Sequence, residues 1–223
     1  MQGSAGRGGD RVLAALPIKP FTLAKGRLDG ILGPAARASL SRAVAERVVA
    51  ACAAAGLPIA VVTGDPAVAG WAAGVGLEVI QEPPTGGLNG AAGVAAAEAA
   101  RRDLAWCIVH ADLPLLGPDD VAAVAGQVRG GRVVLAPSRN GGTNLLAATH
   151  PFPFAYGPGS FGRHLAAARG GERRVVVRLG TALDVDTPED LHTAAALPQG
   201  AWLLPYLPST PHAQEPGTMP GLR

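Results

Sequence analysis

Surplus charge and cysteine are scarce in this chain, long apolar runs are absent, and each lack removes a class of protein. The formal net charge is only +2 at neutral pH, too little for the basic surface with which a protein grips nucleic acid. The two cysteines, Cys52 in an Ala-rich helical stretch and Cys107 inside an apolar strand, have neither metal-ligand nor redox spacing. They read as small buried thiols of a reducing compartment. No uninterrupted apolar run is long enough to span a bilayer, and the opening MQGSAGRGGDR has no hydrophobic leader segment. The expectation is a cytoplasmic protein with neither nucleic acid nor membrane as partner.

Two nucleotide fingerprints are also missing. The first apolar strand runs into LPIKPFTLAKGRL, which has no G-x-G-x-x-G, and the chain contains no G-x-x-x-x-G-K-[ST]. A dinucleotide-dependent hydride-transfer enzyme and a P-loop NTPase are both disfavoured.

What is present suits one sizeable core: 223 residues with 48% hydrophobic content do not require a split into two domains. Short apolar runs alternate with amphipathic, Ala-rich segments. VLAALPI is followed by a helix over about 34 to 55, IAVVT by a helix over about 66 to 75, and LEVI by a helix from about Asn89; WCIVH, a helix from about Pro118, and VVLAP follow. This rhythm predicts an α/β domain with a mostly parallel sheet and helices on both faces. TNLLAATH adds a strand, PFPFAYGPGSFG a candidate substrate loop, and VVVRL with TPEDLHTAAAL a last strand and helix. The predicted domain covers 11–197, between a Gly-rich tail at 1–10 and a Pro-rich flexible tail at 198–223.

The chemistry is expected where the strands end. WCIVHADLPLL puts Asp112 just past the end of a buried strand, the edge at which an open α/β sheet keeps its ligands. Far downstream, LDVDTPEDL holds four acids of two kinds. Thr187, Pro188 and Asp190 match an N-cap, an N1 proline and an acidic N3 residue, so Asp190 and Glu189 are accounted for by helix initiation. Asp119 and Asp120, beside Pro118, have the same explanation. Asp184 and Asp186 remain, and residues two apart on an extended segment point to one side. With Asp112 they form a candidate oxygen-donor site for a divalent metal, which suggests phosphate chemistry.

Four further loops suit anions. Lys19, Lys25 and Arg27 leave the first strand as a source of positive charge for a triphosphate. In QEPPTGGLNGAAG, Asn89 is the expected N-cap of a helix whose start, with Gly86, Gly87 and Gly90, can approach an anion or the edge of a base. In RNGGTNLL and YGPGSFGRH, Thr143 offers a hydroxyl, Ser160 a helix cap, and Gly157 with Gly159 a nest of amides for a phosphate.

Taken in order, LPIKPFTLAKGRL, GLNGA, ADLPLL, GGTNLL, YGPGSFGRH and DVDTPEDL resemble the phospholactate/phosphoenolpyruvate guanylyltransferase family of coenzyme F-420 biosynthesis over nearly all of residues 11–197. The resemblance implies a single-domain, Rossmann-like nucleotidyltransferase of the GT-A-like kind. Its implied reaction transfers GMP from GTP to a small phosphorylated three-carbon acid, with release of pyrophosphate. Phosphoenolpyruvate is the first choice of acceptor, with 2-phospho-L-lactate and 3-phospho-D-glycerate as the others. By motif, Asp112, Asp184 and Asp186 would hold Mg²⁺, Lys25 would face the triphosphate, and Gly87, Leu88 and Asn89 would lie near guanine. Thr143, Gly157 and Ser160 would hold the acceptor phosphate. A labile product of this kind could be handed to the next enzyme of the pathway. Rival readings are a sugar-phosphate or molybdopterin-cofactor nucleotidyltransferase and a non-catalytic nucleotide-binding module.

Overall fold

A computed structural model of the chain describes residues 11–208. The expected N-terminal tail and the part of the expected C-terminal tail from 209 onward lie outside the described residues. Seven strands build one sheet: β1 (Val12–Pro17), β2 (Ile59–Thr63), β3 (Glu78–Gln81), β4 (Ala105–Val109), β5 (Val133–Pro137), β6 (Thr143–Ala148) and β7 (Arg173–Val175). Their order is β3-β2-β1-β4-β6-β5-β7. All neighbours are parallel except at β6, which runs antiparallel to both β4 and β5. The cause is the link 138–142, since a parallel crossover needs a dozen or more residues and a hairpin does not. Ser138 closes this turn, its N–H donating to Gly142 O at 2.9 Å and its Oγ accepting from Gly142 N at 2.9 Å. As a result the start of β6 shares an edge with the C-terminal end of β4.

Alternation along β1 divides the core, with Val12, Ala14 and Leu16 on one face of the sheet and Leu13 and Ala15 on the other. Helices α1 (Pro34–Ala54), α2 (Pro66–Gly74) and α4 (Pro118–Ala125) cover the first face. Helices α3 (Gly87–Arg101) and α5 (Ser160–Ala167) cover the second. The α3 contact is made by Ala91, Ala92, Ala95, Ala96 and Ala99, whose i, i+4 spacing makes a smooth apolar stripe that lets the helix lie close to the strands. Helices on both faces of a mostly parallel sheet are as the periodicity predicted.

Two expectations need correction. VVVRL is not the last strand: β7 is Arg173–Val175, Val177 and Leu179 are exposed, and a short helix, α6 (Leu179–Ala182), follows. Along the described residues β7 pairs only with β5, so it is an edge strand, and its paired residues Arg173 and Arg174 are charged as edges usually are. Nor are residues 198–208, the described part of the expected C-terminal tail, a loose segment. After α7 (Pro188–Ala195), a 3-10 stretch at Pro198–Tyr206 packs into a third apolar cluster with Leu28, Leu40, Leu115, Leu183 and Leu191. Leu203 is fully buried there, Arg47 lies over the Trp202 ring at 4.4 Å, and a Cβ on Gly200 would fall 1.8 Å from Ala194 O. Proline composition argued for an extended tail, but Trp202 and Leu203 give this nine-residue stretch apolar surface that it buries against the cluster.

Candidate active site

The acids converge because of what is buried beside them. Leu183 and Val185 point into the core, so the intervening and following residues, Asp184 and Asp186, turn to the opposite side. The N–H of Val185 donates to Asp112 O at 3.1 Å, stitching this segment to the loop after β4. One carboxylate oxygen from each of Asp112, Asp184 and Asp186 lies within 4.8 Å of the others. Burial pushes the Asp184 carboxyl above the usual carboxylate range, and the nearby Asp112 adds to that. Asn144, at the start of β6, donates from Nδ2 to Thr181 O at 3.0 Å and to Asp184 Oδ1 at 3.4 Å.

Lys25 is the cation of the cluster. Its side chain is 4% exposed, and Nζ lies 3.6 Å from Asp112 Oδ2 and 3.5 Å from Asp186 Oδ1. Lys25 adopts a left-handed backbone (φ 59°) in the irregular connection between β1 and α1, which brings its side chain back over the strand ends. Asp112 Oδ1 is buried and meets no hydrogen-bond donor among the described residues. A carboxylate oxygen buried without a donor beside two further acids fits a group meant to take a cation, so the three aspartates suit a divalent metal ion.

Beside the acids opens a cavity of about 360 Å³ lined by Lys19, Lys25, Leu88, His110, Asp112 and Asp186, among others. Thr143, Gly157 and Ser160 are not in its lining and form a second group. Thr143 and Ser160 are buried, and Ser160 Oγ lies 3.5 Å from Thr143 Oγ1. Gly157 (φ 120°) and Gly159 (φ 69°) hold the loop in a left-handed form that a side chain would strain, while Arg163 braces it through Ala155 O and Pro158 O.

The family described as Guanylyl transferase CofC like matches residues 12–207. The chain belongs to this family. It is 42% identical over 194 residues to the phosphoenolpyruvate guanylyltransferase of Rubrobacter xylanophilus, covering 81% of this chain and 91% of that one. It is 38% identical over 200 residues to the 3-phospho-D-glycerate guanylyltransferase of Phenylobacterium zucineum, covering 84% and 91%. Among solved structures, a candidate nucleotide-diphospho-sugar transferase from Desulfovibrio desulfuricans G20 superposes with a TM-score of 0.70 at 15% identity, over 88% of this chain and 94% of that one. That likeness concerns the fold.

Within this CofC-like guanylyl transferase the sequence-derived site divides unevenly. Asp112, Asp184, Asp186, Lys25, Lys19 and Leu88 gather at or beside the cavity. Arg27 is exposed and does not line it. Asn89 is not the N-cap of α3: the helix starts at Gly87 behind Gly86, whose φ of 98° suits a residue without Cβ. The Asn89 carboxamide instead accepts from Tyr156 N at 2.7 Å, tying α3 to the loop before α5. Ser160 is likewise the first residue of α5 and Gly159 its N-cap. Two amides of this turn are already engaged, Ser160 N with Gly157 O and Phe161 N with Gly141 O. Thr187 and Asp190 form the expected capping box, and Asp120 accepts from Gly117 N at 3.0 Å.

Asn144 has no signal in the sequence, and the sequence assigns no role to His110 or His164. Asn144 reveals itself only once β6 is known to start at the active edge. His110 sets its ring at a tilt against that of Tyr156, centroids 5.3 Å apart, and its Nε2 is buried without a partner among the described residues. His164 is fully buried between Thr143 and the backbone of Ala155. A lone histidine in a helix carries no signal that separates such a role from ordinary packing.

Proposed function

We propose that this chain transfers GMP from GTP to a small phosphorylated three-carbon acid, phosphoenolpyruvate first, releasing pyrophosphate. The observation that carries the reading is the convergence of Asp112, Asp184, Asp186 and Lys25 at the rim of one cavity. The acceptor phosphate is anionic at neutral pH and needs no strong base to attack the α-phosphorus of GTP. One bond forms from an acceptor phosphate oxygen to the α-phosphorus, and the bond from the α-phosphorus to the bridging oxygen of the β-phosphate breaks. The electron pair leaves on pyrophosphate.

Positioning and charge neutralisation are then the protein's tasks. Asp112, Asp184 and Asp186 would hold Mg²⁺, which suits an all-oxygen donor set and, when bound, screens the repulsion between two anionic substrates. Lys25 supplies fixed positive charge toward the triphosphate, Lys19 adds to it from the rim, and Leu88 offers an apolar surface for the base. Thr143 and Ser160 present hydroxyls to the acceptor phosphate, with Gly157 shaping the loop that holds them.

The test is pyrophosphate release by the full chain from each nucleoside triphosphate in turn. The acceptors are phosphoenolpyruvate, 2-phospho-L-lactate, 3-phospho-D-glycerate and a sugar phosphate. The expected result is release with GTP and a three-carbon phospho-acid, abolished by EDTA and restored by Mg²⁺. Release with a sugar phosphate alone, or with no acceptor at all, would overturn the reading.

A further inference from the structure

His164, on the inner side of α5, has no solvent exposure, and both of its ring nitrogens are engaged. The N–H of Ala155 donates to Nε2 at 2.9 Å, and Nδ1 lies 3.0 Å from Thr143 Oγ1. A backbone amide can only donate, so Nε2 must present its lone pair. Burial pushes the imidazole down to about 4, with Arg163 and His110 adding to the effect, so the ring is neutral at physiological pH. Its single proton therefore sits on Nδ1, and Nδ1–H donates to Thr143.

The direction of that bond propagates. Thr143 Oγ1, taken up as an acceptor, keeps its own hydrogen for donation, and Ser160 Oγ stands 3.5 Å away. Two hydroxyl hydrogens then face one mutual contact, so at least one of them points outside the pair. With the opposite tautomer, Nδ1 would draw in the Thr143 hydrogen, and with Ser160 Oγ donating to Thr143 Oγ1 as here no hydroxyl hydrogen of the pair would be left for an anion. The edge contacts of the ring with Tyr156, centroids 4.8 Å apart, and Phe152, 5.7 Å apart, hold its plane.

We propose that His164 is a positioning residue: fixed in the Nδ1–H tautomer by Ala155 N–H, it makes the Thr143 and Ser160 hydroxyl pair a hydrogen-bond donor to the acceptor phosphate. The inference rests on the reading of Thr143 and Ser160 as the acceptor-phosphate site.

The experiment compares His164→Asn, whose amide N–H stands where Nδ1–H stood, with His164→Gln, whose amide reaches instead toward the Ala155 position. Each is made alone and in a Thr143→Val background, with GTP and phosphoenolpyruvate as substrates. H164Q is expected to raise the KM for phosphoenolpyruvate about tenfold, the loss of one hydrogen bond to a charged group, with the KM for GTP unchanged. H164N is expected to recover most of that affinity, and H164Q is expected to add nothing once T143V is present. Equal effects of Asn and Gln, or an undiminished H164Q effect in the T143V background, would mean that His164 only fills space. If T143V raises the phosphoenolpyruvate KM and H164Q does not, the positioning role alone falls. If T143V leaves that KM unchanged, the acceptor-site reading falls and takes this inference with it. Nitrogen NMR of the wild-type imidazole is an independent check, expected to show Nδ1 as the protonated nitrogen; protonation at Nε2 instead would overturn the proposal without any variant having to fold.

Discussion

In the proposed reaction the two halves of the site share one task, holding an anionic substrate, and would meet it with opposite materials. At the ends of β4 and of the segment before α7, three carboxylates and Lys25 crowd together and depend on opposite charge for compensation. At the start of β6 and α5, the side-chain donors Thr143, Ser160 and His164 are buried and neutral, and their force lies in which hydrogen points where. A charged cluster acts over a distance and tolerates some looseness, whereas a neutral buried network acts only through directed contacts. The carboxylate half should therefore govern turnover and the hydroxyl half acceptor affinity.

The sharpest way to break that division is Asp112→Asn. It removes the charge of a candidate metal ligand with little change of shape, and guanylyl transfer is expected to fall on the order of 10²- to 10³-fold, as when a major source of electrostatic stabilisation is deleted. The fold should hold, because Lys25 keeps Asp186 as partner and the Asp184 carboxyl is relieved of a neighbour that raises its pKa. Steady-state rates beside thermal unfolding check both halves of the prediction. Near-normal turnover would remove Asp112 from the reaction.

The neutral half has a signature of its own in the dependence of stability on pH. His164 titrates near 6.5 when unfolded and near 4 when folded, so between those values the unfolded chain binds the extra proton. Stability from this group is fully present above about pH 6.5 and is lost as pH falls toward 4. At pH 4.5 the wild type should have lost about 2 kcal/mol relative to His164→Asn, compared with the same pair at pH 7.5. Denaturant unfolding at the two pH values measures the difference, and parallel losses in both proteins would mean that the imidazole is not held neutral.

The same contrast explains what could be read from the sequence. Asp112 announces itself because an apolar strand ends beside it, and Asp184 with Asp186 because the buried Leu183 and Val185 impose an alternation that is visible in the letters. The capping boxes absorb the remaining acids. The hydroxyl half depends on which way β6 runs, and that follows from the length of the link 138–142 rather than from any residue in the strand. Asn144 and His164 gain their roles only through partners 40 and 21 positions away. The 3-10 stretch at Pro198–Tyr206 is obscured by its prolines, although Trp202 and Leu203 give it apolar surface to bury. Patterns of period two and three to four are local and legible; the pairing of one loop with another is not.

The smallest effect probes the outer boundary of the charged half. Lys19 lines the cavity and Arg27 does not, although both are exposed and leave β1 in the same basic loop. Charges on a solvated rim contribute less than about 1 kcal/mol each, so Lys19→Ala should raise the KM for GTP a few-fold, and more so at low salt, where screening is weakest. Arg27→Ala should shift it by less than about twofold. Initial rates across GTP concentrations at two ionic strengths separate the two. If Arg27 proved the more damaging loss, the nucleotide would have to lie across the exposed side of the loop, and the charged half of the site would extend beyond the cavity that bounds it on that side of β1.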